Sequence, residues 1–144
     1  MATPMSGNVS QIGYGAAADS ASPVVRTLTM YDLGAALRRQ AESAGVASDC
    51  RFLGYRHDVD RLLPGIDLYV QSSAYEGSAN AVLEAMLVGA PVIATAVGGT
   101  AELLTHGVHG LLVEPGDLPG LQSAIEAVWS DPEAAARRAR AAQE

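Results

Sequence analysis

Two glutamates, with small residues after the first, form the part of this sequence best suited to chemistry. Glu76 is followed by Gly77, Ser78 and Ala79, and Glu84 comes after seven intervening residues. Small side chains let the N–H groups at a helix start approach a ligand closely, and the helix dipole favours an anion there. Carboxylates accept hydrogen bonds from paired hydroxyl groups. The pattern therefore predicts an anion cradle between two hydroxyl-binding acids.

The spacing of the two acids suggests the size of the ligand. If a helix begins just after Glu76 and includes Glu84, the two residues lie roughly 12 Å apart along its axis. That length matches the distance from a sugar to a ribose across a diphosphate. A second interpretation stays open from the residues alone: Glu76 complements the helix dipole, and Glu84 lies on the solvated face of the helix.

A second loop has a similar design. In the stretch PVIATAVGGTAEL, a buried strand is followed by Gly98 and Gly99, and Thr100 is a candidate cap for the next helix. In a parallel sheet, ligands bind at the carboxyl ends of the strands, where the following helices begin. Two helix N-termini are therefore predicted to converge on one crevice, with Gly99 and Thr100 on its second side. An ordinary turn explains the glycine pair equally well.

The surrounding elements alternate between strand and helix. Hydrophobic patterns and turn residues predict strands at 24–30, 51–54, 67–73, 91–95 and 109–116, and helices at 32–45, 57–65, 78–89, 99–107, 117–130 and 132–144. Asp58 is a candidate cap, and Gly45 and Gly89 are predicted helix ends. Such alternation predicts an α/β fold, a three-layer Rossmann-like domain with a parallel sheet. Residues 1–22, rich in Gly, Ala and Ser, are predicted to be a disordered leader before a domain at 23–144.

Composition limits the class of function. The chain has 144 residues and a net charge of −7, which argues against nucleic-acid binding. Its start lacks a secretory signal and it contains no apolar run long enough to span a membrane, so the cytoplasm is the expected location. Cys50 is the only cysteine, which excludes an internal disulfide, and it is predicted to be buried. All nine basic residues are arginines.

Taken in order, the motifs YEGSANAVLEAM, PVIAT, VGGTAEL and VEPGD resemble a known family. From about Leu33 to the end, the chain is similar to the C-terminal, donor-binding domain of glycosyltransferase family 4. This family comprises retaining, metal-independent enzymes of GT-B fold that use nucleotide sugars. The resemblance implies a hexosyltransferase-like activity with a UDP- or GDP-sugar as donor, an unknown acceptor, no cofactor and no metal.

The resemblance also implies roles for individual residues. Glu76 resembles the acid that faces the transferred sugar, with the amides of Gly77 and Ser78 beside the sugar and phosphate. Glu84 resembles the acid that binds the ribose hydroxyls. Asn80 occupies a small polar position of the same loop. Arg56 occupies a position that often contacts the base, although a solvated charge at this place explains it equally well.

The chain departs from the family pattern in ways that affect activity. A GT-B enzyme has a second, N-terminal domain that binds the acceptor, and the family uses an Arg and a Lys to neutralise the departing diphosphate. This sequence contains no lysine. We therefore expect a donor-binding half that is incomplete at its N-terminal edge and inactive alone. Its partner would be an N-terminal domain or a separate chain, and peripheral membrane contact stays open for the intact enzyme. The alternative is a non-catalytic nucleotide-binding module or partner subunit.

Overall fold

The computed structural model describes residues 30–144, with side chains from Gly34 onward. The predicted leader and most of the strand predicted at 24–30 lie outside the described residues, and Met30, the last residue of that strand, begins a helix. The described chain divides into two compact units, residues 30–57 and residues 58–144, which are treated separately below.

The first unit contains one long helix. Helix α1 spans Met30–Ser43, and a 3-10 turn follows at Ala47–Asp49. Gly45 ends the helix with a φ of 71°, and the next amide, that of Val46, donates a hydrogen bond to the carbonyl of Ala41 at 3.0 Å. A residue with positive φ just past a helix is the usual helix-ending geometry, for which glycine is favoured. The predicted end of this helix is confirmed.

The strand predicted at 51–54 is wrong. These residues form no ladder, and no strand occurs in residues 30–57 to pair with them. The segment is held instead by Arg38, whose guanidinium lies 4.6 Å from the ring centroid of Phe52 and donates to its carbonyl at 3.4 Å. Leu53 is 56% exposed, and Cys50, which we expected to be buried, is exposed as well. Within residues 30–57 this short run has no neighbouring strand with which its backbone could form a ladder.

The second unit contains a parallel three-stranded sheet. Its strands lie in the order β1, β2, β3, with Val70 opposite Ile93 and Ala94 opposite Leu112. The strands are β1 Tyr69–Gln71, β2 Val92–Thr95 and β3 Leu111–Val113. The helices are α2 Val59–Leu62, α3 Asn80–Leu87, α4 Gly99–Leu103, α5 Leu118–Ser130 and α6 Pro132–Ala141, with a 3-10 turn at Leu63–Gly65. The predicted alternation of strands and helices is confirmed here.

Strand β2 is the centre of the fold. All four of its residues are buried, and successive side chains point to opposite faces of the sheet. Val92 and Ala94 pack with Val82 and Met86 of α3 in one core cluster. Ile93 packs on the other face with residues of α5 and α6, namely Ala124, Val128 and Ala135. Helices therefore cover both faces of the sheet, and the predicted three-layer α/β architecture is confirmed.

Aspartates begin the two C-terminal helices. The Asp117 carboxylate accepts a hydrogen bond from the Gly120 amide at 2.9 Å, and the Asp131 carboxylate accepts one from the Ala134 amide at 2.8 Å. Each bond satisfies an N–H group that the helix itself leaves unpaired. Pro132 occupies the first turn of α6 as predicted. At α2, Asp58 occupies the predicted cap position, but its side chain makes no capping hydrogen bond.

Candidate functional site

The loops after β1 and β2 lie side by side. Because the two strands are parallel and adjacent, their carboxyl ends meet at one edge of the sheet. A Cβ built on Gly99 would lie 3.5 Å from the carbonyl oxygen of Gly77 and 3.6 Å from the amide nitrogen of Ala79. The two loops that the sequence predicted to share one crevice are therefore in contact.

A hydrogen-bonded chain of side chains leads to Glu76. The Tyr69 hydroxyl donates to Oε1 of Gln71 at 2.9 Å, and Nε2 of Gln71 donates to Oε2 of Glu76 at 3.0 Å. Tyr69 and Gln71 are two residues apart on β1, so their side chains point to the same face of the strand. Glu76 is half-buried. Its carboxylate is therefore held by a hydrogen bond to a side chain of β1.

The charges of Glu76 and Glu84 both affect the pKa of Tyr69. The pKa of Tyr69 is raised from 10.0 to about 12, first by burial and then by the negative charges of Glu76 and Glu84. Burial disfavours the phenolate, and a nearby carboxylate repels it further. The charges of Glu76 and Glu84, the two acids on which the sequence prediction rested, thus bear on one side chain.

The start of α3 supplies backbone donors beside these acids. Asn80 is the first helical residue, and Ala79 before it is buried and provides no side-chain cap. Gly77 and Ser78 are exposed, and the Ser78 hydroxyl donates to Oδ1 of Asn80 at 2.9 Å. A helix start without a capping side chain leaves N–H groups for water or a ligand. Gly77 to Ala79 lie before the helix, so between Glu76 and Glu84 only the residues from Asn80 onward are helical. The separation of roughly 12 Å assumed a helix along this whole stretch.

The predicted role of Thr100 as a cap is wrong. Helix α4 begins at Gly99, with Gly98 as the residue before it, so Thr100 lies inside the first turn. Its side chain is fully buried, and its hydroxyl has no hydrogen-bond partner within the described part of the chain. The residue before the helix is therefore Gly98, which turns the backbone with a φ of 46°. Any contact of Thr100 with a ligand stays a prediction.

For the other predicted site residues, the structure gives a position but does not test the predicted role. Glu84 is exposed on α3, one turn after the helix start. Arg56 is half-buried and belongs to the unit of residues 30–57, so its proposed contact with a base stays a prediction. Sequence reasoning missed Tyr69 and Gln71. The available signal was two polar residues at alternate positions of a predicted strand that leads directly to Glu76.

The two histidines after α4 serve the turn in which they lie. Nδ1 of His106 accepts a hydrogen bond from the Leu112 amide at 3.0 Å, and Nδ1 of His109 accepts one from the Thr105 amide at 3.3 Å. Each ring nitrogen therefore satisfies a backbone donor. In residues 30–144 no cluster of three or more His, Cys, Asp or Glu side chains could hold a metal ion. Nor does any helix in that range have the length and apolar character needed to cross a membrane.

Comparison with known proteins identifies the family. Residues 17–131 match the family described as Glycosyl transferases group 1. The chain belongs to this glycosyltransferase family. The match starts inside the segment predicted as a leader, and it includes both loops of the candidate site. The α/β fold with its parallel sheet is of the GT-B type found in the family's solved structures.

Individual relatives agree with this assignment. The lipopolysaccharide core biosynthesis glycosyltransferase LpsE of Rhizobium meliloti (strain 1021) is 35% identical over 95 residues, which cover 66% of this chain and 28% of LpsE. Anabaena Alr3699/HepE, whose crystal structures contain UDP or UDP-glucose, is 36% identical with a TM-score of 0.75, over 78% of this chain and 31% of that one. The chain therefore spans about a third or less of the length of these glycosyltransferases.

A solved domain is also similar. The C-terminal domain of the glycosyl transferase group 1 family protein LpcC from Francisella tularensis is 25% identical to this chain, with a TM-score of 0.69. The likeness covers 85% of this chain and 62% of that domain. The solved structure is that of a C-terminal domain alone.

Proposed function

We propose that these residues form the donor-binding half of a retaining glycosyltransferase of family 4, which binds a UDP- or GDP-hexose. The observation that carries the proposal is the contact between the two loops at one sheet edge, where Gly99 lies against the loop before α3 and Gln71 holds the Glu76 carboxylate at 3.0 Å. The complexes of Anabaena HepE with UDP and UDP-glucose support a nucleotide sugar as the ligand. Because the family is a family of transferases, a non-catalytic module is not favoured.

Each part of the site has a role matched to its chemistry. Glu84 accepts the two hydroxyls of the ribose, since a carboxylate offers paired acceptor oxygens. The backbone N–H groups at the start of α3 receive the diphosphate. Glu76 accepts a hydroxyl of the transferred sugar. In this proposal the remaining residues of the two loops complete the wall of the pocket.

The transfer itself needs cations that this part of the sheet does not supply. The bond from the anomeric carbon to the diphosphate oxygen breaks, and a bond to an acceptor oxygen forms on the same face of the sugar. The acceptor proton passes to the departing diphosphate. Residues 62–136, which include both loops, contain neither Lys nor Arg. We therefore propose that an N-terminal domain or a separate chain provides the acceptor site and the leaving-group charges, in the cytoplasm and without a metal.

Calorimetric titration of the purified chain with UDP and GDP tests the binding proposal. Glu84→Ala should weaken the binding of the nucleoside diphosphate about 10-fold or more, because the substitution removes the charged acceptor of the ribose hydrogen bonds. Glu76→Ala should weaken it less than about 3-fold, because a free nucleoside diphosphate has no sugar at that position. Glu126→Ala on α5 is the matched control. Glu126 carries the same charge and accepts one exposed hydrogen bond, from Gln122 at 2.8 Å.

Two results would contradict the proposal. If neither UDP nor GDP binds the wild-type chain, the nucleotide site is wrong. If Glu76→Ala and Glu84→Ala lose equal affinity, the two acids do not have separate sugar and ribose roles.

A further inference from the structure

The hydrogen bonds between Tyr69, Gln71 and Glu76 have only one consistent direction. An ionised carboxylate can only accept, so Gln71 must present its NH₂ group to Glu76. The Gln71 carbonyl then faces Tyr69, whose hydroxyl must donate. The two bonds, at 2.9 and 3.0 Å, obey this order. The amide of Gln71 is thus held between a donor on one side and an acceptor on the other.

Strand β1 differs from β2 in the side chains that it places on the sheet. Strand β2 consists of Val92, Ile93, Ala94 and Thr95, all buried. Strand β1 places Tyr69 and Gln71 half-buried on one face. Polar side chains taken out of water cost stability unless they are hydrogen-bonded. In β1 those hydrogen bonds lead to Glu76 and not to a neighbouring backbone group.

Two further contacts hold the backbone around Glu76. The Thr95 hydroxyl, at the end of β2, donates to the carbonyl of Ser73, a buried residue shortly before Glu76, at 2.6 Å. Gly98 lies so close to the Glu76 carbonyl that a Cβ would not fit between them. The backbone of Glu76 is therefore fixed from β2, whereas its carboxylate is fixed from β1 through Gln71.

We propose that Tyr69 and Gln71 are positioning residues, which hold the Glu76 carboxylate in one rotamer so that it meets the sugar of the donor. The inference rests on the proposed role of Glu76. Gln71 engages Oε2, and Oε1 is the oxygen that receives the sugar hydroxyl. A preordered acceptor binds more tightly because less side-chain freedom is lost when the ligand arrives. Tyr69 acts one step away, by fixing the orientation of the Gln71 amide.

The test compares a nucleotide sugar with the nucleotide alone. Gln71→Met keeps the length of the side chain and removes both hydrogen bonds, and Tyr69→Phe removes only the hydroxyl. In titrations of UDP-glucose and GDP-mannose, we expect Gln71→Met to weaken the preferred sugar nucleotide about 5- to 10-fold and Tyr69→Phe about 2- to 5-fold. Affinity for the matching nucleoside diphosphate should stay within about 2-fold, since that ligand does not reach Glu76.

The chain contains a matched control for this substitution. Gln122 donates to Glu126 at 2.8 Å on the exposed face of α5, which is the same pair of side chains in a place without a proposed ligand. Gln122→Met should change neither affinity. In a Glu76→Ala background, Gln71→Met should cause no further loss, because the carboxylate that it positions is gone. A loss of sugar and nucleoside diphosphate affinity in equal measure would show a structural role only and overturn the inference.

A measurement without ligand separates this inference from the proposed function. Three-bond NMR couplings at Cβ of Glu76 report whether the side chain occupies one rotamer. We expect a single rotamer in the wild type and averaged couplings in Gln71→Met. Averaged couplings in the wild type would overturn the positioning role, whether or not any nucleotide binds. If the couplings are fixed but no nucleotide sugar binds, the proposed function fails and the sugar-facing part of this inference fails with it.

Discussion

Gly98 lies against the backbone of Glu76, so closely that a Cβ at Gly98 would overlap the Glu76 carbonyl oxygen. Gly98 also has a φ of 46°, a conformation that L-residues with a side chain rarely adopt. The loop after β2 therefore needs glycine at this position for two separate reasons. One of them is the path of the loop after β1, which passes directly beside Gly98.

Gly98→Ala should lower the free energy of unfolding by about 3 kcal/mol or more, because steric overlap adds to the backbone strain. Gly116→Ala is the matched control: Gly116 also has positive φ, 80°, but a Cβ added there would meet nothing within 4 Å. That variant should lose only about 1–2 kcal/mol. Urea denaturation of both variants measures the difference. Equal losses would mean that the contact with Glu76 has no energetic consequence.

Tyr69 should make the protein sensitive to alkali. Its pKa is 10.0 in the unfolded chain and about 12 in the folded protein. Between these values the unfolded chain has lost the phenolic proton while the folded protein keeps it. The free energy of unfolding must therefore fall as the pH rises, by a total of about 2–3 kcal/mol. Below pH 10 the full contribution is present.

Denaturation curves at several pH values from about 9 to 12 check this prediction. Tyr69→Phe should be less stable than the wild type at neutral pH by about 1 kcal/mol, from the lost hydrogen bond, but should lose less stability on the way to high pH. Tyr75→Phe is the control, because Tyr75 is 71% exposed. A pH dependence in Tyr69→Phe as steep as in the wild type would assign the alkaline loss to other groups.

Local sequence signals predicted most of the second unit because each element carries its own pattern. The run at 91–95 is short, apolar and bounded by turn residues, and it forms the fully buried strand β2. The strand predicted at 51–54 was wrong: strand formation depends on a partner, which a local pattern does not contain and which residues 30–57 do not provide. Helix α4 begins at Gly99, as the predicted range 99–107 has it, so Thr100, which was also predicted to cap that helix, lies within it.

The interactions around Glu76 depend on contacts between distant elements. That Gly98 touches Glu76 follows from the parallel pairing of β1 with β2 and from the loop conformations, which no short motif specifies. The hydrogen bonds through Gln71 depend on one rotamer of each side chain. The sequence therefore predicted which loops meet, but not what holds the acid in place.

Thr100 and Thr95 should respond in opposite ways to the same substitution. Thr100 has a buried hydroxyl that finds no partner in the described chain, whereas the Thr95 hydroxyl donates to Ser73 at 2.6 Å. Valine has nearly the shape of threonine without the hydroxyl. Thr100→Val should raise the free energy of unfolding by about 1 kcal/mol, and Thr95→Val should lower it by about 1–2 kcal/mol. Thermal denaturation of both variants checks this prediction. If Thr100→Val is less stable than the wild type, the Thr100 hydroxyl makes a hydrogen bond to a group outside the described residues, and the prediction is wrong.

The 144-residue chain, assayed by itself, should show no transferase turnover. A departing diphosphate develops negative charge that must be balanced, yet the sequence has no lysine and residues 62–136 have no arginine. Each missing preorganised charge costs roughly 3–4 kcal/mol, or about 10²- to 10³-fold in rate, and the positioning of an acceptor adds to this. The assay incubates the chain with UDP-, GDP- and ADP-sugars and mixed acceptors, and follows the release of nucleoside diphosphate. Glu76→Gln is the control. Release above background in the wild type that disappears in this variant would show that these residues are sufficient for catalysis, and the prediction would be wrong.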